Sequence, residues 1–100
     1  MTFDKLIEEV TQWADDRNIL KSDNAPKQLI KIMEELGETS SALLKNNEPE
    51  LKDGIGDILV TVIIFAQQCG YTPTECLEAA YNEIKNRTGK TVGGVFVKDE

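Results

Sequence analysis

The sequence predicts an all-α fold: four helices in a bundle completed by homo-oligomerisation, followed by a short C-terminal arm or hairpin. Three observations carry this. Apolar residues recur at three- and four-residue steps along most of the chain, which is helical spacing. Proline and small polar residues stand where the helices should start. One segment, Ile55 to Ala66, is apolar almost all round, and a helix of that kind must be covered on every side.

The elements follow in order. Phe3, Leu6, Ile7, Val10, Trp13 and Ala14 mark a first helix, which Thr2 can cap and which should fade near Leu20. Lys21 to Ala25 reads as a polar loop. Asn24 and Pro26 open a second helix running to about Lys45, with Leu29, Met33, Leu36, Ser40, Leu43 and Leu44 on one face. Pro49 fits the first turn of a third helix, and Gly70 stops it. "TPTE", Thr72 to Glu75, is a capping box with proline at the first helical position. The fourth helix carries Leu77, Ala80, Tyr81 and Ile84 and ends near Arg87. Residues 88–100 form a tail with a Gly-Gly turn between β-prone pairs, either a small hairpin or an arm laid on a neighbour. Residues 1–100 read as one domain. Three amphipathic helices shield only part of the third helix, so a homodimer or homotetramer is expected.

The totals exclude several classes of function. A net charge of −7 argues against nucleic acid and anionic lipid as partners, because both are held by an excess of Lys and Arg. The apolar run is shorter than the roughly 20 residues a bilayer needs, and the first helix is too charged for a signal peptide, so a cytoplasmic protein is expected. Cys69 and Cys76 lack zinc-site spacing and read as free thiols, although they flank a turn and a disulfide stays open. Histidine is absent, which removes Ser-His-Asp and Cys-His catalysis.

The remaining chemistry is carboxylate chemistry. "KIMEELGETS", Lys31 to Ser40, packs three glutamates into five positions. Glu35 and Glu38 sit three apart, turned away from the Leu29–Met33–Leu36 stripe. Asp53 and Asp57 sit four apart at the start of the third helix. The short connection favours antiparallel neighbours, which would bring both pairs together. Like charges so gathered repel by roughly 1–4 kcal/mol per close pair, and a divalent cation offsets that. Hard oxygen donors point to Mg²⁺, with Mn²⁺ possible. The plainer readings are that the glutamates are solvated surface and that Asp53 complements the helix dipole.

The pairing of "EELGE" with a following "GDILV" resembles the MazG-like nucleotide pyrophosphohydrolases. These belong to the all-α NTP pyrophosphatase superfamily, alongside dimeric dUTPases and phosphoribosyl-ATP pyrophosphatases. The likeness runs from about Asn24 to the C-terminus, and "YNEIKNRTGKTVGGVFVKDE" is most similar to the short single-domain type of phages and bacteria. The family pattern is ExxE, a spacer, then ExxD. It places the first pair on Glu35 and Glu38 and the final Asp on Asp57. The remaining position falls on Gly54, which has no side chain, and Asp53 is the substitute. The resemblance implies Mg²⁺-dependent cleavage between the α- and β-phosphates of a nucleoside triphosphate, giving monophosphate and pyrophosphate. It implies Glu38, then Glu35, as the base, and Asn82, Lys85, Arg87 and Lys90 as phosphate-binding groups. Cations at a helix C-terminus also serve the dipole. Trp13 and Tyr81 read as core, with base stacking as the alternative. "TGKT" is no P-loop, since Ile84 stands where that motif needs glycine. "NRT", Asn86 to Thr88, matches a glycosylation sequon without any sign of secretion. A non-catalytic helical oligomer with a decayed site, binding a partner or nucleotide, is the rival reading.

Overall fold

The computed structural model describes residues 1–100. Helix α1 spans Phe3–Asp16, a short 3₁₀ turn covers Ser22–Asn24, and α2 spans Ala25–Leu44. Helix α3 spans Glu48–Gln68 and α4 Pro73–Ile84, and strands β1 (Gly89–Val92) and β2 (Val95–Lys98) close the chain. The all-α fold is therefore present as four helices, with the tail folded into a hairpin.

The helix starts are local chemistry. Thr2, Asn47 and Thr72 accept the backbone N–H groups of Lys5, Glu50 and Glu75 at 3.1, 3.3 and 3.1 Å, each satisfying one orphan donor of the first turn. Glu75 completes no reciprocal box, because its carboxylate accepts from the Thr72 hydroxyl at 3.2 Å. The helix stops share one device. Asn18, Asn46 and Gly70 take φ of 59°, 55° and 89°. The next amides, of Ile19, Asn47 and Tyr71, reach back to the carbonyls of Ala14, Ala42 and Ala66 at 3.0 Å. These are Schellman endings. The first of them ends α1 at Asp16 rather than near Leu20, because Asn18 accepts the left-handed conformation that a branched residue would resist.

Helix α3 is the centre, packed against α2, α1 and α4. Side-chain amides bind it to its neighbours. Gln28 donates to the Thr61 carbonyl at 3.1 Å, Gln67 to the Thr11 hydroxyl at 2.7 Å, and Gln68 to the Ile19 carbonyl at 2.8 Å. Only nine residues are buried, among them Ala14, Glu35, Ala42, Thr61, Ile63 and Ile64.

The apolar stripe expected on α2 does not face this core. Leu29, Met33, Leu36 and Leu43 are about half exposed, and Leu44 is 80% exposed. The residues turned to α3 are Gln28, Ile32, Glu35, Thr39 and Ala42. At 100° per residue the stripe lies roughly 100–160° to one side of Glu35, and Glu38 about 60° to the other. Ile55, Leu59 and Val62 on α3 are left half exposed as well. Trp13 and Tyr81, expected in the core, are 47% and 58% exposed.

The hairpin turns on Gly93 and Gly94, with φ of 59° and 80°, the positive pair that a two-residue hairpin turn requires. Its register pairs Gly89 with Lys98, Thr91 with Phe96, and Val92 with Val95. The Phe96 ring folds over Gly89, where a Cβ would lie 2.6–2.7 Å from ring carbons; an aromatic thus covers the bare strand position.

Candidate metal and phosphate site

The first turns of α3 run beside the second half of α2. Between them lies a cleft of about 390 Å³ lined by Glu38, Ser41, Glu50, Asp53, Gly54 and Asp57, with no apolar residue. Close approach of the helices makes it. Gly54 is buried, and a Cβ there would lie 3.2 Å from the Thr39 Cβ. The Thr39 hydroxyl is turned onto its own helix, donating to the Glu35 carbonyl at 2.7 Å.

Asp57 is the hinge of the site. Partial burial raises its carboxyl above the ordinary carboxylate value, and the charges of Asp53 and Glu35 push it the same way, with Lys31 opposing. Asp57 therefore feels carboxylates from its own helix and from α2. Glu35, 7% exposed, is balanced by Lys31 at 3.4 Å, which also meets Glu34 at 3.7 Å. That lysine is held protonated first by its hydrogen bond to Glu35 and then by the charges of Glu35 and Glu34. A second cleft, of about 260 Å³, opens on the Glu35 side of Asp57 and includes Lys31, Gln28, Thr61 and Trp13. Arg17 stacks on the Trp13 ring, 4.4 Å from its centroid.

Of the residues expected from sequence, Glu38, Asp53 and Asp57 line one cleft and Glu35 adjoins Asp57 from the other. Asn82, Lys85, Arg87 and Lys90 line neither cleft. All four are exposed, and Arg87, just past the end of α4, pairs with Glu83 of that helix at 3.1 Å. Sequence reasoning missed Glu50, Ser41 and Lys31. Glu50 was legible as the residue three before Asp53, and Lys31 as the residue four before Glu35.

The same region carries the likeness to known proteins. Residues 25–91 match the MazG nucleotide pyrophosphohydrolase domain. The chain belongs to that family. The MazG match begins with α2 and ends within β1, so α1, which brings Trp13 beside Glu35 and Asp57, lies outside it. Over 64 residues the chain is 45% identical to an uncharacterized 18.2 kDa protein from the rep-hol intergenic region of Haemophilus phage HP1. The alignment covers 64% of this MazG chain and 39% of that relative. No solved structure matches. No single helix is long and apolar enough to cross a membrane, and Cys69 and Cys76 are both free and exposed.

No group of three or more Asp, Glu, Cys or His side chains stands ready as a metal cage. The donor chemistry nonetheless fits a hard cation, because every ionisable group lining the cleft is a carboxylate. Mg²⁺ commonly takes only one or two protein carboxylates and completes its shell with water and substrate phosphate.

Proposed function

We propose that this MazG domain is a metal-dependent nucleoside triphosphate pyrophosphohydrolase, splitting the α–β anhydride to release a nucleoside monophosphate and pyrophosphate. Family membership supports the reaction class. The observation that carries the reading is the position of Asp57, beside Asp53 and within the field of Glu35 across the α2–α3 contact. Acidic groups of two helices thus share one space, open to a cation and to the phosphates it accompanies.

Glu35, Glu38, Asp57 and Asp53 are the residues that would hold Mg²⁺ or Mn²⁺. Such an ion, when bound, offsets phosphate charge and lowers the pKa of a water. The chain's own residues divide the remaining work. Glu38 is exposed and makes no ion pair, so it is free to accept a proton from the attacking water. Glu35 is the second choice, because its carboxylate is already committed to Lys31. Asn82, Lys85, Arg87 and Lys90 are proposed to bind phosphate. The accessible surface of 7698 Å² exceeds the roughly 5,700 Å² usual for a monomer of this mass, which supports a homodimer or homotetramer. Free exposed cysteines fit a reducing cytoplasm.

The test is a panel of NTPs and dNTPs with Mg²⁺ or Mn²⁺. Monophosphate and pyrophosphate appearing together support the enzyme. Silence across the panel, with metal still bound, supports a non-catalytic oligomer that binds a nucleotide or a partner. Gly54, where the family pattern has a carboxylate, favours that second reading.

A further inference from the structure

The C-terminal hairpin is an element that its own chain does not hold. It packs against no helix, and every residue from Gly89 to Lys98 is exposed. The pairing register puts Lys90, Val92, Val95 and Val97 on one face, and the three valines stay 53%, 65% and 48% exposed. Phe96 is already engaged on the other face, over Gly89. A two-stranded hairpin is marginal in water, and packing on a further apolar surface is what makes one stable.

A groove on the far side of α3 has the matching character. Helices α1, α3 and α4 leave a cleft of about 450 Å³ among Phe3, Ile7, Leu59, Val62, Ala66 and Leu77. Phe3 and Leu77 stand 55% and 68% exposed on its walls. The one charged residue on its lining is an acid, Asp4. The charged residues of the hairpin, Lys90 and Lys98, are both cations. The two surfaces are therefore alike at the centre and opposite at the edge, which is how an apolar interface core and a charged rim complement one another. The chain's own hairpin does not fill the groove. The start of α4, Pro73 to Leu77, lines it, whereas the hairpin follows the other end of that helix and does not touch it. A second copy supplies the same hairpin free of that tether. The accessible surface of 7698 Å² is about 2,000 Å² above the monomer norm, which is ample for an interface between copies.

We propose that the valine face of one protomer's hairpin seats in the α1–α3–α4 groove of a second copy of this chain. Val92 and Val95, which flank the Gly93–Gly94 turn, enter first and Val97 follows. Lys90 lies next on that face, with its aliphatic stem along the valines and its ammonium kept in water at the rim, so it stays available to an anion. The exchange is reciprocal, as a two-fold pair requires. The inference concerns assembly alone and holds whether or not the protein hydrolyses a nucleotide.

The groove carries a native thiol, Cys76, and the hairpin has none, so a cross-link tests the placement directly. In a Cys69→Ser/Val95→Cys chain, a short bismaleimide should join the introduced thiol of one chain to Cys76 of another. The product is a covalent dimer on a denaturing gel, with the 76–95 linkage in its peptides. That linkage confined to monomer-sized product would seat the hairpin on its own chain and overturn the proposal. Linkage of position 95 only to position 95, the sign of hairpins pairing edge to edge, would overturn it, as would no linkage at all. Native Cys76 gives a second readout without the cross-linker. Val95→Asp places a charge on the seated face and should raise the rate at which N-ethylmaleimide alkylates Cys76 several-fold. Cys69, which does not line the groove, should react as before, and the far-ultraviolet helix signal should be unchanged. An unaltered rate at Cys76 would mean that the hairpin does not cover it, and the proposal would fall.

Discussion

Gly54 and Thr39 meet backbone to side chain where α3 crosses α2, and the space between them is too small for a Cβ: the Thr39 Cβ would be 3.2 Å away and its Cα 3.4 Å. A glutamate at this position, as the family pattern would have it, therefore has no room at its base. Gly54→Glu is expected to drive α2 from α3 at a cost of about 1–3 kcal/mol, the usual penalty for overpacking, and to lower the melting temperature by roughly 5–20 °C. Adding Thr39→Gly should recover part of the loss. A thermal melt of the single and double variants reads both, and a Gly54→Glu protein as stable as wild type would mean that the contact is not tight.

Asp57 makes the opposite prediction. Burial, then Asp53 and Glu35, raise its carboxyl in the folded protein. An acid with a raised folded pKa binds protons more tightly folded than unfolded, so its contribution to stability is lost as pH rises past the ordinary carboxylate value and through the folded one. At neutral pH the ionised group is then a burden on the metal-free fold. Asp57→Asn should raise the melting temperature of metal-free protein by a few degrees while abolishing nucleotide hydrolysis. A drop in stability would show that the carboxylate is structurally required.

The same crowding predicts a response to cations. Metal that binds only the folded state stabilises it by mass action, about 2.7 kcal/mol at a concentration one hundred times Kd. Mg²⁺ or Mn²⁺ should raise the melting point of wild type and leave Asp57→Asn nearly unmoved. Lys31 competes with the cation for Glu35 at 3.4 Å. Lys31→Met should therefore tighten metal binding several-fold in calorimetry, because the cation that repels the incoming metal ion is removed. An unchanged or weaker affinity would place the ion away from Glu35.

Much of this was legible in the sequence, because the signals are local. Thr2, Pro49 and Thr72 announce helix starts through the donors of a first turn, and Gly93-Gly94 announces a hairpin through its positive φ. The spacing of Glu35 with Glu38 and of Asp53 with Asp57 was enough to expect acidic side chains of two helices near one another, since a helix repeats every 3.6 residues; Glu38, Asp53 and Asp57 line one cleft, and Glu35 lines the neighbouring one instead. The facing of α2 was not legible. Periodicity identifies an apolar stripe but not what covers it, and here the α3 contact went to the small and polar series Thr39, Ala42 and Glu35, whose match is the bare backbone of Gly54. The distance of Lys85 and Lys90 from the cleft was hidden for a related reason: it depends on how α4 leaves α3, and no sequence spacing encodes that angle.

That stripe carries the last prediction. Leu29, Met33 and Leu36 on α2 and Ile55, Leu59 and Val62 on α3 are 44–56% exposed, and all lie on the flank of the helix pair opposite the carboxylates. Scattered exposed leucines are ordinary, but a contiguous apolar flank this large on one chain marks an interface. Leu59 and Val62 extend it into an apolar cleft that α3 shares with Phe3 and Ile7 of α1 and Leu77 of α4. Leu36→Asp puts an unpaired charge at the centre of that flank, where desolvation makes it costly. It should shift the protein toward smaller species in sedimentation velocity while leaving the far-ultraviolet helix signal unchanged. Glu34→Lys, a change of charge on the polar side of the same helix, should leave the mass as it is. Equal behaviour of the two variants would mean that the flank faces solvent in the working protein.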